Sequence, residues 1–321
     1  MVPVIETQDL VKEFPAGKGF FGRSSTHLTA VDRVSLSVSA GETLGLVGES
    51  GSGKSTVGNC ILRLVAATSG RVLFKGQDIL SMTGTRFRNI RGKLQVVFQD
   101  PQSSLDPRMT VRKIVGYPLA IQQGIKGEAL TGRVLTALRD VGLGPEHLYR
   151  YPHEFSGGQR QRIGVARALI TGPEFVVLDE PTSALDVSVQ AQILSLIRDL
   201  QKKYRYAYLF ISHDLAVVRH ISNRVAVMYL GRIVESAPTE RFFASPCHPY
   251  TRALIASVPR PDPTQRQELA VLGGDVPSPL HLPEGCRFHP RCPAVMDICK
   301  QVAPARADMA PDHWVECHRY G

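Results

Sequence analysis

The sequence predicts an α/β protein with a mixed-sheet core, an antiparallel β subdomain, a helical insertion and a small Cys/Pro-rich C-terminal module. Three observations carry this. The apolar run Thr43-Leu44-Gly45-Leu46-Val47 ends in a glycine-rich loop, Gly48 to Thr56, and gives way to apolar residues at helical spacing. Other short apolar runs recur along the chain with helical patterns between them, as in proteins built on a parallel sheet. Past Val258 the composition turns to Pro-Arg-Pro-Asp-Pro, a stiff linker, and then to a segment rich in cysteine and proline.

Taken in order, Val34, Leu36 and Val38 alternate with Ser35, Ser37 and Ser39, the pattern of a half-buried antiparallel strand ahead of the turn Ala40-Gly41-Glu42. The run Thr43–Val47 reads as a strand buried on both faces. After the loop, Val57, Cys60, Ile61, Leu64 and Val65 fall at i, i+3, i+4, i+7 and i+8, which predicts a helix continuing through Val65. Further strands are expected at Arg71–Phe74, Leu94–Phe98, Phe175–Leu178 and Tyr208–Ile211. A last hairpin runs from Arg224 to Ser236 and turns at Leu230-Gly231. Between Val111 and Leu169 the pattern is helical, broken at Gly124, Gly127, Gly142-Leu143-Gly144-Pro145 and Tyr151-Pro152. These readings place one domain at residues 1–256, with a helical subdomain at about 101–170, and a module at 257–321. No internal repeat is present.

The glycine-rich loop names a ligand class. Gly48-Glu49-Ser50-Gly51-Ser52-Gly53-Lys54-Ser55-Thr56 fits G-x-x-x-x-G-K-[ST]. Glycines let successive backbone N–H groups curl around phosphate oxygens, and the helix N-terminus adds its partial positive charge. Lys54 can then reach the β- and γ-phosphates, and the Ser55 hydroxyl can ligate Mg²⁺. A Gly-rich turn that merely caps a helix needs no Lys-Ser pair, so ATP or a similar triphosphate with Mg²⁺ is the expected ligand.

Composition sets outer limits. Lys and Arg number 38 against 29 acidic residues, a net charge of +9. No dense Lys/Arg run accompanies that charge, so it reads as a solvated basic surface and no nucleic-acid partner is expected. No uncharged apolar run approaches the roughly 18 residues a membrane span requires. The N-terminal residues lack a signal peptide's basic start and long apolar core, so the expected location is cytoplasmic.

Five further segments bear on the same site. Phe175-Val176-Val177-Leu178-Asp179-Glu180 is an apolar strand ending in two carboxylates. Asp179 is placed to support Mg²⁺, and Glu180 to orient and deprotonate an attacking water. Phe155-Ser156-Gly157-Gly158-Gln159-Arg160-Gln161-Arg162 starts a helix with Ser156 as N-cap, a second phosphate-binding element. Here the chain resembles the ATP-binding cassette (ABC) family, whose usual Leu-Ser-Gly-Gly-Gln carries Phe155 in place of leucine. The resemblance runs from about Val4 to Ala256. It implies that Gln99 is the lid glutamine near Mg²⁺, that Asp186 in Ser183-Ala184-Leu185-Asp186 lies in the loop where two cassettes touch, and that His213 contacts the γ-phosphate. It also implies that Phe14 stacks on adenine, although a core role for Phe14 stays open. Cassettes of this family pair head to tail, so Ser156, Gly157, Gly158 and Gln159 are expected to serve the partner subunit's ATP.

The six cysteines divide unevenly. Cys60 lies on the apolar face of the helix after the loop and reads as a buried thiol, while Cys247 has no evident partner. Cys286, Cys292, Cys299 and Cys317 share a short Pro-rich segment, and disulfides are not expected in a reducing compartment. Four thiolates in a segment too small for much core point to a metal centre. The spacing departs from the usual zinc pairs, and a Pro after a ligand Cys is familiar in iron–sulfur proteins. A [4Fe–4S] cluster, a zinc ion and unmetallated thiols all stay open, with His289, His313 and His318 as substitute ligands or plain surface histidines.

From His248-Pro249-Tyr250-Thr251 to Cys317-His318, the tail resembles the C-terminal extension of oligopeptide and dipeptide importer ATPases, some of which carry a [4Fe–4S] cluster on such cysteines. The loop Phe14 to Arg23 and the run Ser257 to Pro263 look like the F-type subunit. That resemblance implies a peripheral ATPase on the cytoplasmic face of a bacterial membrane. Its partners would be a D-type ATPase in a heterodimer, two permease subunits and an extracytoplasmic peptide-binding protein. Nickel or glutathione import by the same machine, a soluble cassette protein of DNA repair or translation, and a redox- or metal-sensing regulator are the alternatives.

Overall fold

A computed structural model of the chain describes residues 2–16, 26–100, 104–258 and 273–321. Most of the loop and the proline run used to assign the F subtype lie outside these residues. In chain order the strands and helices are β1 (Ile5–Ala16), β2 (Thr26–Val38), β3 (Thr43–Val47), α1 (Lys54–Ile61), β4 (Ser69–Phe74), β5 (Gln77–Asp78), α2 (Gly84–Arg91) and β6 (Leu94–Val97). Then come α3 (Val111–Gln123), α4 (Gly127–Asp140), α5 (Gly157–Leu169), β7 (Phe175–Asp179), α6 (Val187–Tyr204), β8 (Ala207–Ile211), α7 (Leu215–Ile221), β9 (Arg224–Tyr229) and β10 (Arg232–Pro238). Last are α8 (Thr239–Ala244), α9 (Pro249–Ala256), β11 (Arg306–Ala310) and β12 (His313–Glu316). The chain forms two compact units. The first comprises Met1–Glu6, Ser37–Thr43 and Leu73–Phe210; the second comprises Thr7–Leu36, Leu44–Val72 and Ile211–Gly321.

In the first unit β6 and β7 pair in parallel, with Leu94 opposite Phe175 and Val97 opposite Leu178. β7 and β8 are buried along nearly their whole length, as continuous apolar strands of a covered parallel sheet must be. The expected helical insertion is α3, α4 and α5. Val111, Ile114, Val115 and Leu119 line the inner face of α3, and Leu130, Val134 and Leu138 that of α4, each set at helical spacing. Gly124, at φ 68, ends α3 in the left-handed conformation that glycine adopts without strain.

In the second unit the strands run in the order β11-β12-β10-β9-β3. β3 pairs in parallel with β9, Leu46 facing Ala226, and β9 turns through Leu230 and Gly231 into antiparallel β10 as expected. The tail then adds strands that periodicity did not announce. β12 pairs with β10, Glu235 opposite Val315 and Ser236 opposite Trp314, and β11 pairs with β12. The predicted helix after the loop is shorter than its apolar stripe. α1 stops at Ile61 because Arg63 turns left-handed at φ 53, and the N–H groups of Leu64 and Val65 fold back onto the Asn59 carbonyl. Leu64 is accordingly exposed.

A register shift between Ile233 and Glu235 precedes a fully buried carboxylate. Glu235 Oε1 accepts from the Cys247 N–H at 2.8 Å and from His313 Nε2 at 3.0 Å, and Oε2 accepts from the His248 N–H at 2.8 Å. One side chain thus ties β10 to the start of α9 and to β12. His248 caps α9, its Nδ1 accepting from the Tyr250 N–H at 3.0 Å. Burial pushes its imidazole from 6.5 down to about 3. The unfolded chain therefore takes up a proton near pH 6.5 that the folded chain refuses until about pH 3. Stability from this group is complete above the upper value and lost as pH falls through that window. Urea unfolding at pH 7, 6 and 5 should show the parent weakening more than His248→Asn, which keeps a capping acceptor but cannot titrate, by about 1 kcal/mol between pH 6 and 5 and by less between pH 7 and 6. Equal slopes would refute the assignment.

Candidate functional site

The phosphate loop leaves the end of β3, whose five residues are all buried. Gly48 has φ 150, and a Cβ there would lie 2.1 Å from the Met228 carbonyl oxygen. Gly53 has φ 105, and its Cβ would lie 2.1 Å from the Ala30 carbonyl oxygen. Only glycine fits either position, so the loop's path follows from these residues and not from convention. The second unit also braces the loop from outside. Gly231 N–H donates to Ser52 O at 2.9 Å, and Glu49 N–H donates to the Tyr250 hydroxyl at 2.9 Å.

Lys54 is buried with its Nζ donating to the Gly48 and Glu49 carbonyls, both at 2.8 Å. The ammonium is therefore held at the loop mouth. Ser55 and Thr56 occupy the first turn of α1, which has Gly53 as N-cap, no side-chain cap and no acidic residue in its first turn. An anion there meets the positive end of the macrodipole with no first-turn carboxylate beside it. His213 is exposed just past β8, where Ser212 N–H donates to Leu46 O at 3.2 Å. Asp214 next to it caps α7, accepting from the Ala216 N–H at 2.8 Å. Phe14 is half-buried on β1 with Lys12 Nζ 4.6 Å from its ring centroid.

In the first unit β7 delivers Asp179 and then Glu180. Glu180 sits at φ 45, a left-handed conformation that costs a non-glycine residue about 1–3 kcal/mol and concentrates at functional positions. Its carboxylate Oε2 accepts from Gln99 Nε2 at 2.9 Å, so two separately inferred residues meet. Ser183 N–H donates to the Glu180 carbonyl at 3.3 Å. Asp186 caps α6, taking the Val189 N–H at 2.9 Å and the Ser188 hydroxyl at 2.7 Å. Those bonds hold its carboxyl below the usual carboxylate range.

Ser156 forms a capping box at α5, its Oγ accepting from the Gln159 N–H at 3.3 Å while Gln159 Oε1 accepts from the Ser156 N–H at 3.1 Å. Ser156 and Gly157 are exposed and Gly158 is buried, where a Cβ would meet Val189 Cγ1 at 2.4 Å. The anchor Phe155 is buried beneath the Arg150 guanidinium, as its apolar character suggested.

All six cysteines are free thiols. Cys60 is buried, and burial pushes its thiol up to about 11. Cys247 is not without neighbours: it is buried beside Glu235 and His313, with donor atoms within 4.8 Å of one another. That trio is accounted for by hydrogen bonding, since both Glu235 oxygens already accept from N–H groups.

In the tail, Cys286 N–H donates to the Cys299 carbonyl at 2.8 Å, and Gly285 at φ 63 allows that approach. Burial, with the mutual repulsion of Cys299, Cys317 and Cys292, pushes the Cys286 thiol up to about 11. Cys292 and Cys317 are raised for the same reasons. The four thiols therefore lie within electrostatic reach of one another. His313 is not a surface histidine but Glu235's partner, while His289 Nδ1 lies 3.0 Å from the Cys286 carbonyl and His318 Nε2 lies 2.8 Å from that of Val302.

Sequence reasoning missed Arg291 and Tyr250. The Arg291 side chain is largely shielded and grips the Glu49 carboxylate with both guanidinium nitrogens, at 2.8 and 3.0 Å. No periodicity or motif spacing links positions 242 residues apart.

A phosphate loop, a capped Ser-Gly-Gly-Gln helix start and a strand ending in Asp-Glu, on a mixed α/β fold, define an ATP-binding cassette ATPase. The family model described as "ABC transporter" matches residues 31–183, and "Oligopeptide/dipeptide transporter, C-terminal region" matches residues 234–299. The chain belongs to the ABC transporter family, in the group that carries this C-terminal region. It is 49% identical to an oligopeptide transport ATP-binding protein of Bacillus subtilis, across 99% of this chain and 97% of that one. It is 48% identical to a putative peptide import ATP-binding protein of Brucella ovis, across 99% and 98%. Among solved structures, the ATP-binding cassette MJ0796 in a dimeric post-hydrolysis state with ADP and Pi superposes with TM-score 0.64 at 28% identity, over 73% of this chain and 98% of that one. The cbiO1 cassette of Clostridium perfringens, at TM-score 0.66 and 24% identity over 76% and 92%, shares the fold.

The loop's geometry sets an order of sensitivity. Gly48→Ala should abolish ATP binding by calorimetry, because its Cβ meets backbone that cannot yield, whereas Gly51→Ala, with nothing within 4 Å, should weaken it less. Equal losses would show that loop strain alone, and not the close approach, decides the matter.

Proposed function

We propose that this protein is the ATP-hydrolysing subunit of an importer of oligopeptides or dipeptides. The observation that carries the reading is full-length similarity to peptide-import ATP-binding proteins, together with the matched C-terminal region at 234–299. In this reading Lys54 and amides of the Gly48 to Thr56 loop bind the β- and γ-phosphates, the Glu49 N–H being held instead by Tyr250. Ser55, Gln99 and Asp179 surround Mg²⁺, and Phe14 stacks on adenine.

Glu180 deprotonates the attacking water as its oxygen adds to the γ-phosphorus and the bond to the ADP oxygen breaks, with His213 on the γ-phosphate. The hydrogen bond from Gln99 and the left-handed backbone at Glu180 support that assignment, since both fix where the carboxylate points. Ser156, Gly157, Gly158 and Gln159 serve the ATP of a second, D-type ATPase, with Asp186 in the loop between the two. Closure on ATP and reopening after hydrolysis then move two permease subunits supplied by an extracytoplasmic peptide-binding protein. The reading puts the protein at the cytoplasmic face of the membrane, beside its permeases; no helix among the described residues is long and apolar enough to cross a membrane.

We further infer that Cys286, Cys292, Cys299 and Cys317 hold a [4Fe–4S] cluster. The spacing of the four cysteines departs from paired zinc ligands, and Pro293 follows Cys292 as is familiar in iron–sulfur proteins. Mutual repulsion among these thiols, which a cation would relieve, supports a metal-bound group there. When bound, it would act as a cross-link for a segment with little core of its own.

Three experiments test these readings. In a reconstituted complex, Glu180→Gln should keep ATP binding and lose hydrolysis by about 10²-fold or more, and unchanged turnover would sink the assignment. Peptides, and not nickel or glutathione, should stimulate the parent's ATPase. Anaerobically purified protein should absorb near about 400 nm and contain iron and sulfide, whereas colourless protein containing zinc would reject the cluster.

A further inference from the structure

Glu49 places a carboxylate inside the loop that must receive a triphosphate. Its backbone is part of the loop, and its carbonyl holds Lys54. An acid at that point repels phosphate unless a cation answers it. The answering cation is Arg291, from the short helical turn His289–Arg291 in the cysteine-bearing tail. The Arg291 side chain is 5% exposed and that of Glu49 27%, and the contact is two parallel N–H···O bonds at 2.8 and 3.0 Å. This fork geometry is available to arginine alone.

The grip has its own support. Tyr250, whose hydroxyl accepts the Glu49 N–H, packs against Tyr229 at a ring-centroid distance of 4.7 Å and against Phe288 at 5.4 Å. Phe288 meets Tyr229 edge-on at 5.3 Å. Arg287, beside Phe288, donates to the Leu230 carbonyl and the Asp32 carboxylate, fixing the tail against the turn whose Gly231 N–H holds Ser52. Main chain and side chain of Glu49 are thus both fixed by residues from the last quarter of the sequence.

We propose that Arg291 is a positioning residue of the ATP site: it neutralises and orients Glu49 so that the phosphate loop meets the triphosphate without carboxylate repulsion. It touches no phosphate itself and acts through Glu49. The tail is thereby part of the nucleotide site's electrostatics as well as of its fold, and ATP affinity depends on the tail staying docked.

The test is a charge-relief cycle on the full-length protein, reading the Kd of a non-hydrolysable MgATP analogue by calorimetry. Arg291→Ala should weaken binding about tenfold, equivalent to about 1.4 kcal/mol. Arg291→Lys should fall between Ala and the parent, because it keeps the charge and loses the fork. Glu49→Gln combined with Arg291→Ala should bind several-fold more tightly than Arg291→Ala alone, since the repelling charge is gone. Parent-like affinity in Arg291→Ala would overturn the proposal. So would a double variant no better than the single, the result expected if Arg291 only anchors the tail. Should Arg291→Ala fail to fold, the same comparison of Arg291→Lys with and without Glu49→Gln decides: relief supports charge neutralisation, and no relief rejects it.

Discussion

An anion-binding loop must leave its amides free for the ligand, and a backbone that does so gives up the hydrogen bonds that would otherwise hold its shape. The rest of the second unit answers to that constraint. Gly48 and Gly53 let the chain pass within contact of the Met228 and Ala30 carbonyls, so neighbouring strands set the path sterically. The hairpin turn donates Gly231 N–H to Ser52, and Tyr250 accepts from Glu49. These contacts fix the loop from its outer side and leave its inner side to phosphate. The shape is imposed by surroundings far apart in sequence, so the loop is preorganised and pays little ordering entropy on binding.

The carboxylate half follows a different logic. Glu180 carries backbone strain that only a well-determined surrounding can sustain, and β7, buried on both faces, supplies it. The Gln99 amide then selects one orientation of a side chain that would otherwise sample several. Asp186 shows the opposite case, in which a residue assigned by resemblance to an interface already has a full local task. It caps α6 through its side chain. Both uses are compatible, because capping engages Oδ1 and leaves the second oxygen for another donor.

Strands β3, β7 and β8 were legible because a strand buried on both faces must be a short unbroken apolar run, and such runs stand out. The hairpin turn was legible because Leu230-Gly231 must adopt positive φ. The end of α1 was not legible, since Leu64 and Val65 continue the stripe and only the backbone turn at Arg63 removes them from the helix. The strands β11 and β12 are short and their pairing with β10 is non-local, so no alternation announced them. Within the site, motif residues were readable because chemistry fixes their types and order. Arg291 was invisible for the complementary reason: any element able to bring a guanidinium to Glu49 would serve, and nothing local dictates which.

Glu235 explains why the tail brings its arginine to the right place. Burying a carboxylate seldom adds net stability, and such groups are better at selecting one arrangement among several. Here the selection concerns strand register. With Glu235 opposite Val315, His313 supplies the donor that completes Oε1. A slip of one residue would turn His313 to the other face of the sheet, and a slip of two would carry it about 7 Å along the strand. Either leaves a fully buried carboxylate short of a donor, a cost of about 1–3 kcal/mol or more. The observed register is therefore favoured by a margin that apolar contacts such as Val315 could not supply, because they are indifferent to which donor lies opposite. With β12 locked, the tail's path from Phe288 to Arg291 is constrained at its far end as well as by Arg287 on Asp32, and the guanidinium arrives at Glu49 as a consequence.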